Sequence, residues 1–174
     1  MYPIRIKASI IIAVLLMGTL CGQDGTARGD SKTSPVNLSG PRIGFTYLSD
    51  SFVDRIKDRY DMKLNPWIAQ FGWQFETRFF TVRSGATAVT EWIFLVGGFE
   101  QEKFLPSLSW LIGMRSSKGF EMGMGPNLAV SGTSVVLAAG ITLRSDEINF
   151  PINVAVASSK SGPRYSFLVG FNIR

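Results

Sequence analysis

From Pro41 to the end of the chain, large apolar side chains recur at every second position. The positions between them carry glycine, serine, asparagine or an isolated charge. Trp67, Phe71, Trp73, Phe75 and Phe79, for example, alternate with Gln70, Gly72, Gln74, Glu76 and Arg78. Successive side chains of a strand point to opposite faces, so the pattern makes one face broad and apolar and the other small and polar. Eight segments follow this rhythm, at about 42–48, 67–80, 87–96, 104–115, 120–130, 134–144, 148–157 and 164–174. Most have roughly the ten residues of a tilted membrane-crossing strand. The pattern predicts an all-β fold, an eight-stranded antiparallel up-and-down barrel. A soluble barrel turns its polar face to water and needs charge there; here that face is too small and too sparsely charged. The expectation is therefore a transmembrane barrel, with lipid outside and a tight polar lumen inside.

Strand parity sorts the side chains. Outward positions include Trp67, Phe71, Trp73, Phe75, Trp92, Phe94, Trp110, Tyr165, Phe167 and Phe171, expected as lipid-facing or interfacial aromatics. Inward positions hold Gln70, Gln74, Glu76, Arg78, Glu91, Glu121, Asn127, Arg144 and Asn153. Charges in a narrow lumen are costly unless paired, so arginines facing glutamates are expected to form a network that fills it. Eight strands enclose a space that side chains fill, not an aqueous pore. The many inward glycines are expected to relieve crowding among converging side chains.

Two connections stand out. Alternate turns begin Arg-Ser, at Arg83, Arg115 and Arg144, and the chain ends at Arg174. Alternate turns of an up-and-down barrel share a rim, so these four arginines are expected to ring the periplasmic end. The other is the long stretch 49–66, where Phe52, Val53, Ile56 and Tyr60 share one helical face and charges the other. With Ser51 and Asp54 resembling a capping box, it predicts a short amphipathic helix between strands 1 and 2. That helix is expected to pack on a barrel rim, with a membrane surface or an extracellular partner as the other uses open to it.

Composition adds a compartment. Arg5 and Lys7 precede an apolar stretch from Ala8 to Leu20, the form of a secretory signal peptide, giving a signal over 1–22, a flexible leader over 23–40 and a barrel over 41–174. Cys21, the single cysteine, permits no internal disulfide and is a lipidation alternative to ordinary cleavage. Arg28-Gly29-Asp30 in the leader is a short match of the kind chance supplies. The net charge of +5 falls to +3 without Arg5 and Lys7, and no basic run interleaved with aromatics occurs, so nucleic acid is not an expected partner.

Catalysis is not expected either. The chain has no histidine, which removes the usual base for a serine nucleophile and the commonest metal ligand. Glu76 and Glu91 are carboxylates without a substrate cleft to serve. No metal or other cofactor is expected.

The leader, the eight alternating segments and the closing strand from Tyr165 through Phe167 and Phe171 to Arg174 resemble the small eight-stranded outer-membrane barrels, which include the OmpA transmembrane domain and OmpX. The texture is also similar to outer-membrane proteins of Bacteroidota. The ending departs from that pattern in closing on Arg174 where an aromatic residue is usual. The resemblance implies the bacterial outer membrane, its lipids and the barrel-assembly machinery as surroundings, with a structural or surface-interaction role and a possible extracellular partner at 49–66. It implies no particular activity. The rival expectation is a soluble periplasmic barrel of lipocalin type, whose tryptophans and phenylalanines would surround an internal apolar ligand.

Overall fold

The computed structural model describes residues 38–145 and 148–173. The proposed signal peptide with Cys21, most of the leader, and Arg174 lie outside these residues.

The eight strands are β1 (Gly40–Leu48), β2 (Trp67–Thr81), β3 (Thr87–Gly97), β4 (Leu105–Arg115), β5 (Phe120–Ala129), β6 (Gly132–Ser145), β7 (Ile148–Ser158) and β8 (Arg164–Gly170). A two-residue segment, β9 (Asn172–Ile173), continues β8 along β7. Every strand pairs antiparallel with its sequence neighbour, and β8 pairs antiparallel with β1, closing the sheet into an eight-stranded barrel. Closure leaves no free sheet edge, which an open sheet of this apolar character would expose to association.

The registers fix the geometry. A path from Gly40 crosses to Gln74, Ile93, Ser109, Asn127 and Ser134. Extended along the remaining registers through positions 159 and 162, it meets β1 at the level of residue 50, ten residues from its start. Eight strands with a stagger of ten residues tilt by about 40°.

The alternation decides what each face carries. Outward positions are Ile43, Phe45, Trp67, Phe71, Trp73, Phe75, Phe94, Trp110, Ile112, Met122, Met124, Leu137, Ile141, Val154, Tyr165 and Phe167, among others, all exposed. No outward position of β1 to β8 holds Asp, Glu, Lys or Arg. The tryptophans and phenylalanines of the strands thus stand on the outward face, not around a cavity as the lipocalin-type alternative requires. Facing outward, Phe45 stacks on Phe167 at 5.5 Å between ring centroids, and Trp92 on Trp110 at 5.7 Å.

Inward glycines have a second cause beside the one expected. A Cβ on Gly72 would strike the Phe94 carbonyl oxygen of β3, so the obstacle is the neighbouring strand's backbone. At Gly97, Gly140 and Gly170 a Cβ would also meet inward side chains, those of Gln70 and Ile68, of Asn153 and of Arg42, so the expected lumen crowding does apply there. Strong coiling of a small barrel presses adjacent backbones together at the inward pleats, and glycine permits the approach.

A single α-helix among the described residues, α1 (Asp50–Tyr60), joins β1 to β2. Its N-cap is Ser49, not Ser51, and no side chain caps it; the expected capping box does not form. Asp50 in its first turn, with Lys57 and Arg59 in its last, complements the helix dipole. Phe52 and Ile56 are buried against Leu48, Leu64 and Ile68, with Val53, Met62 and Leu105 beside them. The helix therefore covers the lumen at the end where the longer connections lie. Tyr60, expected on the packed face, is exposed, and its hydroxyl donates to the Val130 carbonyl at 3.4 Å.

Candidate functional site

The interior is polar in two tiers. The tier nearer the short turns is organised by Arg115. Its Nη1 donates to Glu76 Oε1 at 2.8 Å and its Nε to Glu121 Oε2 at 2.9 Å. Its Nη2 pairs with Glu76 Oε2, lies 2.8 Å from Glu121 Oε2 and reaches Glu91 Oε1 at 3.7 Å. Asn153 Nδ2 donates to the other Glu121 oxygen at 2.5 Å. One planar guanidinium thus serves three carboxylates from β2, β3 and β5, which its fork of donors makes geometrically feasible.

Arg42 is the second buried cation of this tier, only 1% exposed. Its Nε donates to Gln74 Oε1 at 3.0 Å, and its Nη atoms to the carbonyls of Leu38 at 2.7 Å and Pro41 at 3.0 Å. Ser39 Oγ accepts the Glu76 backbone N–H at 2.9 Å. Residues 38 and 39, assigned to the leader on sequence, are thereby tied into the barrel end, and Leu38 is fully buried.

The tier beneath α1 centres on Asn127 and Arg164. Asn127 Nδ2 donates to Ser107 Oγ at 2.7 Å and Ser109 Oγ at 3.0 Å, while its Oδ1 accepts from Ser134 Oγ and Arg164 Nη2. Arg164 Nη2 also donates to Ser134 Oγ at 2.8 Å, and the guanidinium lies 5.4 Å from the centre of the Phe52 ring. Thr46 Oγ1 bonds Gln70 Oε1 at 2.6 Å and Ser166 Oγ at 2.7 Å. Between the tiers lies a cavity of about 70 Å³ bordered by Gln74, Glu91, Ser109, Asn153 and Arg164.

The structure gathers Gln70, Gln74, Glu76, Glu91, Glu121, Asn127 and Asn153 in the interior, where parity put them. Arg78 and Arg144 are not buried with these residues. Both are exposed near the short-turn end, Arg78 beside a β-bulge between Arg78 and Phe80, beyond the depth at which the lumen excludes water. Arg115, expected on the rim, is instead 4% exposed and central to the interior. Arg83 is exposed in the β2–β3 turn, so the ring of rim arginines reduces, among the described residues, to Arg83 and Arg144. Arg42 and Arg164 were not singled out on sequence, although parity with Ile43 and Tyr165 already turns both inward. Of the loop-helix residues, Phe52 and Ile56 are buried and Val53 packs beside them. The outward aromatics Trp67, Phe71, Trp73, Phe75, Phe94, Trp110, Tyr165, Phe167 and Phe171 are exposed, and Trp92 is half-buried against Trp110.

The site so assembled is a largely polar interior, which also holds an apolar cluster of Leu111, Val136 and Ala157, within an eight-stranded antiparallel barrel whose exterior is apolar. No protein-family model, curated protein or solved structure matches the chain.

Proposed function

We propose that this protein is a non-enzymatic barrel of a bacterial outer membrane, similar in architecture to the OmpA transmembrane domain and OmpX, with a structural or surface-interaction role. The observation that carries the reading is the exterior: on every strand the outward residues are mostly large and apolar, the rest are small or hydroxyl-bearing, and none is charged. Water would not tolerate such a continuous surface on a monomer, whereas hydrocarbon requires it. Ten strand residues at 3.3 Å each, tilted by about 40°, rise about 25 Å. That is the height of the apolar band of outer-membrane barrels.

The interior supports a plugged role and not a pore: paired charges fill one tier and α1 covers the other. The buried carboxylates Glu76 and Glu121 are engaged by Arg115, which leaves them poorly suited to acid–base work. The partners that follow are outer-membrane lipids and, during biogenesis, the barrel-assembly machinery. An extracellular partner would meet the exposed face of α1, where Asp54, Arg55, Asp58 and Arg59 are presented.

Cell fractionation with gel electrophoresis of unboiled and boiled samples tests this. The expected result is recovery with the outer membrane and a compact, faster-running band until the sample is boiled in detergent. Release in the soluble periplasmic pool would overturn it.

A further inference from the structure

The two tiers are not equally neutralised. Near the short turns, two arginines, Arg42 and Arg115, face three glutamates, Glu76, Glu91 and Glu121. Beneath α1, Arg164 is 9% exposed, and among the described residues no carboxylate lies within salt-bridge distance of it. Its hydrogen-bond partners are neutral, the Asn127 oxygen and the Ser134 hydroxyl, each 2.8 Å from Nη2. Its Nε is buried with no partner. Gln74 Nε2, a second donor on the same cavity wall, is buried without one too, as is one acceptor there, Asn153 Oδ1. An unneutralised guanidinium and an idle amide donor thus border a space of about 70 Å³, enough for about five water-sized spheres.

We propose that this cavity is a binding site for one small singly charged anion, of halide or nitrate size, held by Arg164 through Nε. A buried charge with no opposite charge nearby is strongly unfavourable, and an anion supplies the missing partner. The Ser109 hydroxyl lines the same cavity, accepts from Asn127 Nδ2 and keeps its own proton free to donate. Glu91 borders the far side and leans 3.7 Å from Arg115, so its charge belongs to the other tier but still disfavours doubly charged ligands. The competing account fills the cavity with water alone and lets Glu91 balance Arg164 across it. The site is wholly interior, so it stands whichever medium surrounds the barrel.

Bromide is the probe. Thermal unfolding of the purified full-length barrel is followed as potassium gluconate, too bulky for the cavity, is replaced by potassium bromide at constant ionic strength. The wild type is expected to show a saturable upward shift in midpoint, as ligand linkage requires. Two variants should lose it: Arg164→Gln, which removes the cation, and Asn127→Asp, which puts a carboxylate against Arg164 Nη2 and makes the ion redundant. An anomalous-scattering map of wild-type crystals soaked in bromide should place a peak beside Arg164 Nε. Water alone in the cavity, or a midpoint shift that persists in Asn127→Asp, would overturn the proposal. Should Arg164→Gln fail to fold, Asn127→Asp and the wild-type map still decide.

Discussion

At the scale of single residues, Arg115 has the most to lose. Its guanidinium is the only cation that contacts Glu76, Glu91 and Glu121 among the described ion pairs. Replacing it by methionine removes one charge but strands three, two of them fully engaged carboxylates. Leaving one partner of a buried pair alone costs about 3–5 kcal/mol, whereas replacing the whole set by neutral groups of similar shape is near neutral. Arg115→Met is therefore expected to lower denaturant stability by about that amount, and Arg115→Met with Glu76→Gln and Glu121→Gln, which leaves only the more distant Glu91 without its cation, to recover part of it. If the triple variant is as unstable as the single one, charge stranding is not the cause. Arg115 also marks what the sequence made legible. Its alternation with Ile112 and Met114 turns it inward, yet the recurrence of Arg-Ser in alternate turns suggested the rim. Arg83 and Arg144 share that motif and do stand exposed. Parity, set by backbone geometry over a whole strand, was the sounder guide; a turn motif says only where a strand ends. At Arg78 and Arg144 parity held but depth was lacking, since alternation carries no information on how far along the barrel the lumen stays dry.

At the scale of elements, the strands were the easiest to read. Their ends fall within a residue or two of the pattern because burial on one face locks each register. The last strand is the exception, interrupted at Phe171 before β9. Helix α1 was visible in its amphipathic spacing, but its start was not: Ser49 occupies the cap without a side-chain bond, and only the tertiary path of the chain selects it. Nor did the sequence say what the apolar face meets. The structure gives the answer in Phe52 and Ile56, which seal the lumen together with Ile68, Leu64 and Leu48. Phe52→Ala should cost about 3–5 kcal/mol in local packing, to which the loss of the Arg164 contact adds about 1 kcal/mol. Because the helix touches the barrel through so few side chains, the loss should be local. Amide exchange is expected to accelerate across 50–60 while protection in β1 to β8 stays unchanged. A uniform loss of protection would mean that the helix is an integral part of the barrel's cooperative unit.

At the scale of the whole molecule, one asymmetry organises everything else. Charges of both signs lie in the interior or at the two ends, and the outward band between the ends has none. Closure through β8 and β1 satisfies the backbone all round, the stagger of ten residues sets the tilt, and the tilt sets the height of the apolar band. A soluble protein of this length would keep its aromatics inside; this one keeps arginine, glutamate and asparagine there. The proposed membrane location rests on that inversion, and it has a direct readout in Trp67, Trp73, Trp92 and Trp110, all on outward positions. The protein refolded into vesicles should be compared in ordinary lipid and in lipid brominated along its acyl chains, using variants that keep one tryptophan at a time. Strong bromine quenching of Trp73, Trp92 and Trp110 is the expected result, because those rings would lie against the hydrocarbon. Tryptophan emission unaffected by the brominated chains would contradict the account and return the apolar exterior to some other partner.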